Sequence, residues 1–300
     1  MSFLPIVERE LRVAARQRLT FWTRASAAAL ALLVFGGLQI LSGTAGGGYL
    51  KAGQIQFSFL KWLSFLFAAV MGIFLTADSL SYEKREGTLG LLFLTDLRGY
   101  DVVLGKLISH SLRAFYGLLA ALPVLGLTLM VGGVTGPEFC RVMLVICNTL
   151  FLSLAIGLFV SSISRDVMKA MNGTVLILLV FMIGLPWVDA MVAARGSKPF
   201  LAVLSYASPG YLFATTGAYS LGNYWLCLGI QQLLGWGFLV LACLFAPRFW
   251  QQKSAPAKSA RTAYFQPILY GSRRSRLKLR RKLLARNPML WLTLRESRFV

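Results

Sequence analysis

The stretch SLSYEKREGTLGLLFLTDLRGYDVVLGKLIS, residues 79–109, lies between two long apolar runs. It carries four consecutive charges near its start, Glu83 to Glu86, then passes through an apolar patch and a second group of alternating charges before the chain becomes apolar again. A charged connection between two apolar runs is typical of a loop at the face of a membrane. The side of the membrane on which this loop lies therefore fixes the orientation of every other segment.

The composition indicates a membrane protein. Apolar residues make up 57% of the 300 residues and charged residues only 14%, which is low for a soluble domain, and the net charge is +20. The four cysteines lie in or beside apolar runs and form no CxxC pair, so the sequence indicates neither a disulfide framework nor a zinc site. We expect them to pack as small hydrophobic residues.

Six apolar runs reach the length of about 20 residues that a helix needs to cross a bilayer. The uncharged stretch from Pro199 to Pro247 is long enough for two spans, but Pro209–Gly210 divides its first part into halves too short to cross. Two short re-entrant or interfacial helices within 199–221 are therefore predicted instead of a seventh span. The six predicted spans are 22–42, 57–78, 110–134, 141–164, 170–189 and 224–246.

The distribution of basic residues predicts the orientation. With six spans, 25 of the 31 Lys and Arg residues fall on one side, five fall on the other, and Arg113 lies just inside the third span. Because basic residues concentrate on the cytoplasmic side, both termini are predicted to be cytoplasmic, in the inner membrane. A seventh span would place the basic tail after residue 247 on the outside.

Both ends of the chain have amphipathic, basic character. Residues 5–21 place apolar side chains at three- and four-residue spacing, which predicts a helix along the inner leaflet, although an ordinary first turn of span one would explain the same residues. The tail 248–300 predicts a juxtamembrane basic helix on anionic lipid, a reading we prefer to nucleic-acid binding. A second interfacial helix from Asn287–Pro288 stops at Val300, which suggests a piece of a longer protein. The arginines on the polar side of the first helix are Arg9, Arg12, Arg16 and Arg18.

The opening stretch has the pattern of a short docking helix. Gly87 permits a turn and Thr88 can cap the run that follows, in which Leu89, Leu92 and Phe93 share one helical face. A short helix with one apolar face and charged flanks is suited to bind in a groove of a partner protein. After Gly99, a carboxylate at position 101 suits the first turn of the third span, and Lys106 is expected to snorkel to the interface.

At these residues the sequence resembles the permease subunits of type-2 ATP-binding-cassette (ABC-2 type) exporters. Their first loop has an acidic-basic-Glu-x-Gly-Thr-Leu-x-x-Leu-Leu stretch followed by Gly-Lys before the third span. The topology of the family, with an amphipathic elbow helix, six spans and re-entrant helices between spans five and six, is similar to the one predicted here for residues 5–247. The matching positions are Glu83, Arg85, Glu86, Gly87, Thr88, Leu89, Leu91, Leu92, Gly105 and Lys106.

The resemblance implies an all-α membrane protein with an elbow helix at 1–21 and a six-span domain at 22–247. The basic cytoplasmic tail at 248–300 departs from the family pattern, in which this extension is short or lacking. The resemblance also implies a dimer with a second, identical or sibling permease, and a separate ATP-binding-cassette ATPase subunit that binds ATP and Mg, so this chain would hold no cofactor and catalyse no reaction itself. The cytoplasmic coupling helix would lie in the first inner loop, where Glu83 to Glu86 would contact span two, the loop and the elbow arginines. The implied ATPase-coupling residues are Glu83, Lys84, Arg85, Glu86, Gly87, Thr88, Leu89, Leu92 and Phe93.

Two other functions remain open at the level of sequence. An ion-coupled secondary transporter usually carries ionisable groups near the bilayer midplane, whereas Asp78, His110, Arg113 and Asp189 all lie near the ends of predicted spans. A membrane scaffold that transports nothing would not need a docking helix. The transported substrate is not indicated by any motif.

Overall fold

A computed structural model describes residues 7–8, 12, 18–44, 49–87, 99–196, 203–217 and 221–249. These residues are almost entirely helical and none of them is in a strand, which confirms the predicted all-α class. They belong to the first of two compact units, Met1–Gln251. The basic tail from residue 250 onward lies outside the described residues.

Nine α-helices, interrupted by short turns, make up the described chain. A π-helical turn at Val180–Gly184 joins α6 to α7, and two short 3₁₀ turns, Ser205–Ala207 and Thr215–Gly217, flank α8. The helices are α1 (Arg18–Thr44), α2 (Tyr49–Thr76), α3 (Ser79–Glu86), α4 (Gly99–Val131), α5 (Gly136–Ile163), α6 (Val167–Leu179), α7 (Leu185–Gly196), α8 (Pro209–Ala214) and α9 (Leu221–Phe249).

Five helical stretches of the described chain are long and apolar enough to cross a membrane. They correspond to the second to sixth predicted spans. The first predicted span lies within α1, whose apolar section in the described residues is Ala28–Ile40. The five stretches are Gly53–Glu86, Gly99–Val131, Gly136–Ile163, Val167–Arg195 and Gly222–Pro247.

Helix α5 forms the centre of the protein. Of its most apolar part, 72% is buried inside the protein, against 39% or less in the other four stretches. Its sequence from Val142 to Ser164 carries no charge and is apolar on every face, the pattern of a helix surrounded by other helices. Most of the other helices therefore pack against α5, whereas α1 packs on α2 and α4.

Small residues bring α2 and α5 into close contact. Ala68, Gly72 and Thr76 recur every four residues on α2, and α5 carries Ser153 and Gly157 at the same spacing. A Cβ atom on Gly157 would lie 2.7 Å from the carbonyl oxygen of Gly72, and the Ser153 hydroxyl donates to the Ala68 carbonyl oxygen at 2.8 Å. In a membrane, where burial of apolar surface does not drive helices together, such small residues and hydrogen bonds hold two helices in contact.

The same contacts show that α2 and α5 run parallel, because residue numbers rise together along both helices. Their carboxyl ends, Thr76 and Ile163, therefore lie at the same end of the protein. Helix α3, which follows α2 after the turn at Ala77–Asp78, consequently lies beside the carboxyl end of α5.

The segment between the fifth and sixth predicted spans contains short helices instead of a long one. Within the described residues 203–217, α8 is only six residues long and begins directly after Ser208, whose hydroxyl accepts the backbone N–H of Tyr211. Leu212 and Phe213 are buried against α9 residues. The described elements beside Pro209–Gly210 are therefore short, and the re-entrant placement of this segment stays a prediction.

A proline explains how this segment is attached to the fifth span. Pro186 has no N–H to donate to the carbonyl of Met182, four residues earlier, and the helix adopts a π-helical turn just before it. The Ser208 hydroxyl donates to the Met182 carbonyl oxygen at 3.0 Å and so satisfies it. The π-helical turn before Pro186 is therefore the point where the segment 203–217 is attached to the fifth span.

A buried chain of amides links the same segment to α5. The Asn148 side chain donates to Gln231 Oε1 at 3.0 Å, and Gln231 Nε2 donates to the Ser208 carbonyl oxygen at 2.8 Å. Both amide side chains are buried, where a polar group without a hydrogen-bond partner costs free energy, so each of these hydrogen bonds is stabilising. Helices α5 and α9 and the segment 203–217 are thereby held together.

We predict that Gly157→Ala will destabilise the protein. The added methyl group would overlap Thr76 and Gly72 on α2 and force the two helices apart, and overpacking of this kind costs about 1–3 kcal/mol. Gly237→Ala in α9 is the matched control, because a Cβ there meets no atom within 4 Å. Thermal unfolding in detergent should give a lower midpoint for Gly157→Ala and an unchanged or higher one for Gly237→Ala; equal midpoints would contradict the close α2–α5 contact.

Candidate functional site

The predicted coupling residues that the structure describes, Glu83 to Gly87, lie in the last turn of α3 and at its end. Glu83 to Glu86 form the last turn of α3, and Gly87 ends this helix in the left-handed conformation with φ 73°, which confirms the predicted turn. Thr88, Leu89, Leu92 and Phe93, the capping residue and apolar face of the predicted docking helix, lie outside the described residues. The described part of this loop is therefore its base, Ala77 to Gly87.

Helices α2 and α3 are separated by a break in the backbone hydrogen bonds. In an unbroken helix the N–H groups of Leu80 and Ser81 would bind the carbonyls of Thr76 and Ala77. Here both N–H groups donate to the hydroxyl oxygen of Ser161 on α5, at 2.9 and 3.0 Å. One serine side chain from another helix thus supplies the acceptor at the start of α3.

A carbonyl freed at the same break also has a partner. The Ser79 hydroxyl donates to the Thr76 carbonyl oxygen at 3.0 Å. Buried backbone groups need such partners, since each one left unpaired costs free energy. Serine side chains of this sequence therefore stabilise the break on both sides, Ser79 as a donor and Ser161 as an acceptor.

The carboxyl end of α3 binds the carboxyl end of α5. The Lys84 ammonium donates to the carbonyl oxygen of Ser162, and Arg85 Nη1 donates to the carbonyl oxygen of Arg165 at 3.0 Å. The last carbonyls of a helix lack intrahelical donors and carry partial negative charge, so cations are favourable there. Helix α3 is thus tied to the end of α5 at both of its own ends.

A carboxylate at the joint holds Arg85 in place. Asp78 accepts two hydrogen bonds from the Arg85 guanidinium, at 2.9 and 3.0 Å, and one from the Ser81 hydroxyl at 2.7 Å. The guanidinium also lies over the Tyr82 ring, 5.7 Å from its centroid. Both ionic partners are about one-third exposed, so this pair fixes geometry more than it adds stability.

A buried ion pair connects α3 to α4. Lys106 Nζ lies 3.0 Å from Glu83 Oε1, and the side chains are only 6% and 9% exposed. The prediction that Lys106 snorkels to the interface was therefore wrong, because the ammonium turns to a carboxylate that is itself removed from water. Asp101 occupies the first turn of α4, as predicted.

The remaining predicted residues, Glu86 and the elbow arginines, are exposed or lie outside the residues that the structure describes. Glu86 is exposed on the last turn of α3. Arg12 is exposed and pairs with Glu8, four positions earlier in the chain. Arg9, Arg16 and the side chain of Arg18 lie outside the described residues, so contacts between the elbow and α3 remain a prediction.

The loop between α5 and α6 presents a second charged surface beside Arg85. Lys169 Nζ lies 2.7 Å from Asp166 Oδ2, and this hydrogen bond holds the pKa of the exposed Asp166 carboxyl below its usual range. The carboxyl group is therefore ionised at neutral pH.

A mostly apolar cleft of about 240 Å³ opens between α4 and α5. Its one hydroxyl, on Ser111, donates to the Ile108 carbonyl within α4. The described residues contain no cluster of three or more side chains suited to hold a metal ion. The residues that line the cleft are Ser111, Leu112, Phe115, Cys147, Leu150, Phe151 and Leu154.

Reasoning from the sequence missed the serines at the end of α5. Ser161 and Ser162 end an apolar run, and hydroxyls at helix ends often bind backbone groups, which is the only signal that pointed to them. The sequence could not show that α3 supplies the N–H groups bound by Ser161, because residues 80 and 161 meet only through the packing of α2 on α5.

We predict a strong coupling between Glu83 and Lys106. Lys106→Met leaves the Glu83 carboxylate buried without this partner, and breaking a buried ion pair from one side costs about 3–5 kcal/mol. The double variant Glu83→Gln/Lys106→Met removes both charges and should recover most of this loss. Thermal unfolding midpoints of the wild type, both single variants and the double variant together form a double-mutant cycle. Strictly additive changes in stability would show that the pair does not interact.

Comparison with known protein families identifies the chain. It matches the ABC-2 family transporter protein model over residues 6–247, which includes every helix described above apart from the last two residues of α9. No curated protein matches it. Since the match covers most of the chain, and since the described part contains five helices able to cross a membrane, this multi-pass membrane protein belongs to the ABC-2 family of transporter proteins.

Proposed function

We propose that the chain is the permease subunit of an ATP-driven exporter, which forms a translocation path as a dimer and is driven by a separate ATPase subunit. Family membership supports transport by an ABC exporter, and the partnership with an ATP-binding subunit follows from the same membership. The observation that carries the coupling role is the anchoring of α3, whose contacts reach α4, α5 and the loop after α5.

In the proposed topology, six spans cross the inner membrane and both termini lie in the cytoplasm. Helix α1 is 27 residues long, about 40 Å at 1.5 Å per residue, which is enough to cross a hydrocarbon core of about 30 Å. The excess of basic residues on the side of Glu83 supports the orientation. In this arrangement α8 and its flanking turns are re-entrant from the outside, and residues 5–21 form the elbow on the inner leaflet.

The length of the second span supports a projecting loop. Helix α2 alone covers 28 residues, about 42 Å, and so exceeds a hydrocarbon core of about 30 Å before the break at Ala77–Asp78. Helix α3, which follows this break at the charged end, would therefore lie in the headgroup region or beyond it. The apolar face of Leu89, Leu92 and Phe93 would then lie in the cytoplasm, where it would bind a groove of the ATPase.

In this proposal the ATPase and the permease have separate roles. ATP and Mg would bind to the partner subunit, while this chain holds no cofactor and catalyses no reaction. Its own contribution is mechanical: a displacement of the docked loop is passed to the helices that α3 contacts. Lipid and a second permease would surround the apolar outer faces of the spans.

We predict that Phe93→Glu and Leu92→Glu will prevent binding of the ATPase. A charge in the docking face would have to be desolvated in an apolar groove without a partner, which is unfavourable. Affinity-tagged permease solubilised from its native membrane should co-purify a protein with nucleotide-dependent ATPase activity, and the two variants should not.

Phe93→Leu is the matched control, since it keeps an apolar side chain at the same position. It should retain the ATPase. If wild-type permease retains no ATPase, or if Phe93→Glu retains as much as Phe93→Leu, the proposed coupling face is wrong.

A further inference from the structure

We propose that Ser161 transmits the motion of the docked loop into α5, so that the central helix, and not only the spans adjoining the loop, is driven by the ATPase. Ser161 is in this view a positioning residue that no substrate touches. The inference rests on the proposed function and names the path that force takes within it.

The first step lies in the geometry of the joint. At Ala77–Asp78 the backbone hydrogen bonds that would make α2 and α3 one rigid helix are interrupted, and side-chain hydroxyls lie against the freed carbonyl oxygens instead. The two N–H groups at the start of α3 instead bind one oxygen atom on α5, and this oxygen belongs to a fully buried residue. A tilt of α3 about the joint must therefore move Ser161 or break both bonds.

The second step is the attachment at the other end of α3. Lys84 and Arg85 bind carbonyl oxygens of Ser162 and Arg165, so the amino and carboxyl ends of α3 are both bonded to the end of α5. Two attachment points separated along α3 prevent it from rotating independently of α5. Helix α3 and the last turn of α5 therefore move as one body.

The third step connects α5 to the opposite end of the protein. Asn148 lies 13 positions before Ser161, about 20 Å along a helix, and its side chain donates to Gln231 on α9. Gln231 in turn holds the Ser208 carbonyl at the start of α8. A shift of α5 along its axis thus acts directly on the segment 203–217, through bonds that are buried at each point.

The segment 203–217 covers a native thiol that can report its movement. Cys227 of α9 is fully buried and packs in one cluster with Leu212 and Phe213. The other cysteines, Cys140, Cys147 and Cys243, can be replaced by serine so that Cys227 is the only thiol. Lifting of the segment would expose this thiol to a maleimide.

The chain supplies a matched control for Ser161. Ser162 is its neighbour, is equally buried, and its hydroxyl donates within α5, to the Phe159 carbonyl oxygen at 2.6 Å. Ser162→Ala removes the same number of atoms but leaves the backbone carbonyl that Lys84 binds. A difference between the two alanine variants therefore reports the α3–α5 bonds and not the loss of a buried hydroxyl.

The experiment uses the permease–ATPase complex in lipid, with Cys227 as the only thiol. ATP with vanadate should accelerate modification of Cys227 by N-ethylmaleimide in the complex that has Ser161 and Ser162 intact, here called the unsubstituted complex, and in Ser162→Ala. In Ser161→Ala this acceleration should fall by up to about 30-fold, the factor that corresponds to two ordinary hydrogen bonds, while the bound ATPase remains. Lys84→Met should reduce it in the same direction, through the second attachment.

The outcomes separate this inference from the proposed function. Equal acceleration in Ser161→Ala and Ser162→Ala, or no acceleration in the unsubstituted complex, would overturn transmission through α5 even though the ATPase is bound. Loss of the ATPase from the unsubstituted permease would instead refute the proposed function. Size-exclusion profiles that match the unsubstituted protein identify variants that fold normally.

Discussion

Helices α2 and α5 approach each other closely enough for the backbone of one to meet that of the other, and this contact determines most of the arrangement described here. It depends on glycine at positions 72 and 157, where any side chain would overlap the facing helix. Because the two helices are parallel, their carboxyl ends meet at one end of the protein. The contact thus brings the base of the first loop to the end of the most buried helix.

The joint between α2 and α3 is stable only because of that neighbour. A helix broken at Ala77–Asp78 leaves two N–H groups without backbone partners, and Ser161 accepts both. In return, cations of α3 bind carbonyls at and just beyond the end of α5. Groups at the end of each helix thus form hydrogen bonds with groups of the other. These bonds allow a short polar helix to lie against the core of an apolar bundle.

Local chemistry allowed part of this to be predicted from the sequence. The helical class, the later spans, the turn at Gly87 and the short elements after Pro209 follow from hydrophobic length and from residues with restricted backbone preferences. The partners of Lys106 and Ser161 do not, since they lie 23 and about 80 positions away and meet only after α2, α4 and α5 pack. Lys106 illustrates the limit: its environment in the sequence predicts snorkelling, whereas a distant carboxylate decides its position.

Amide hydrogen exchange resolved to single residues tests the central claim, that α5 holds the start of α3, most directly. If it is correct, the N–H groups of Leu80 and Ser81 will exchange slowly in the wild type and in Ser162→Ala, but rapidly in Ser161→Ala. The N–H group of Tyr82, which donates to the Asp78 carbonyl oxygen at 2.8 Å, will be less affected. Rapid exchange at residues 80 and 81 in the wild type, or protection that survives the loss of the Ser161 hydroxyl, would contradict the account.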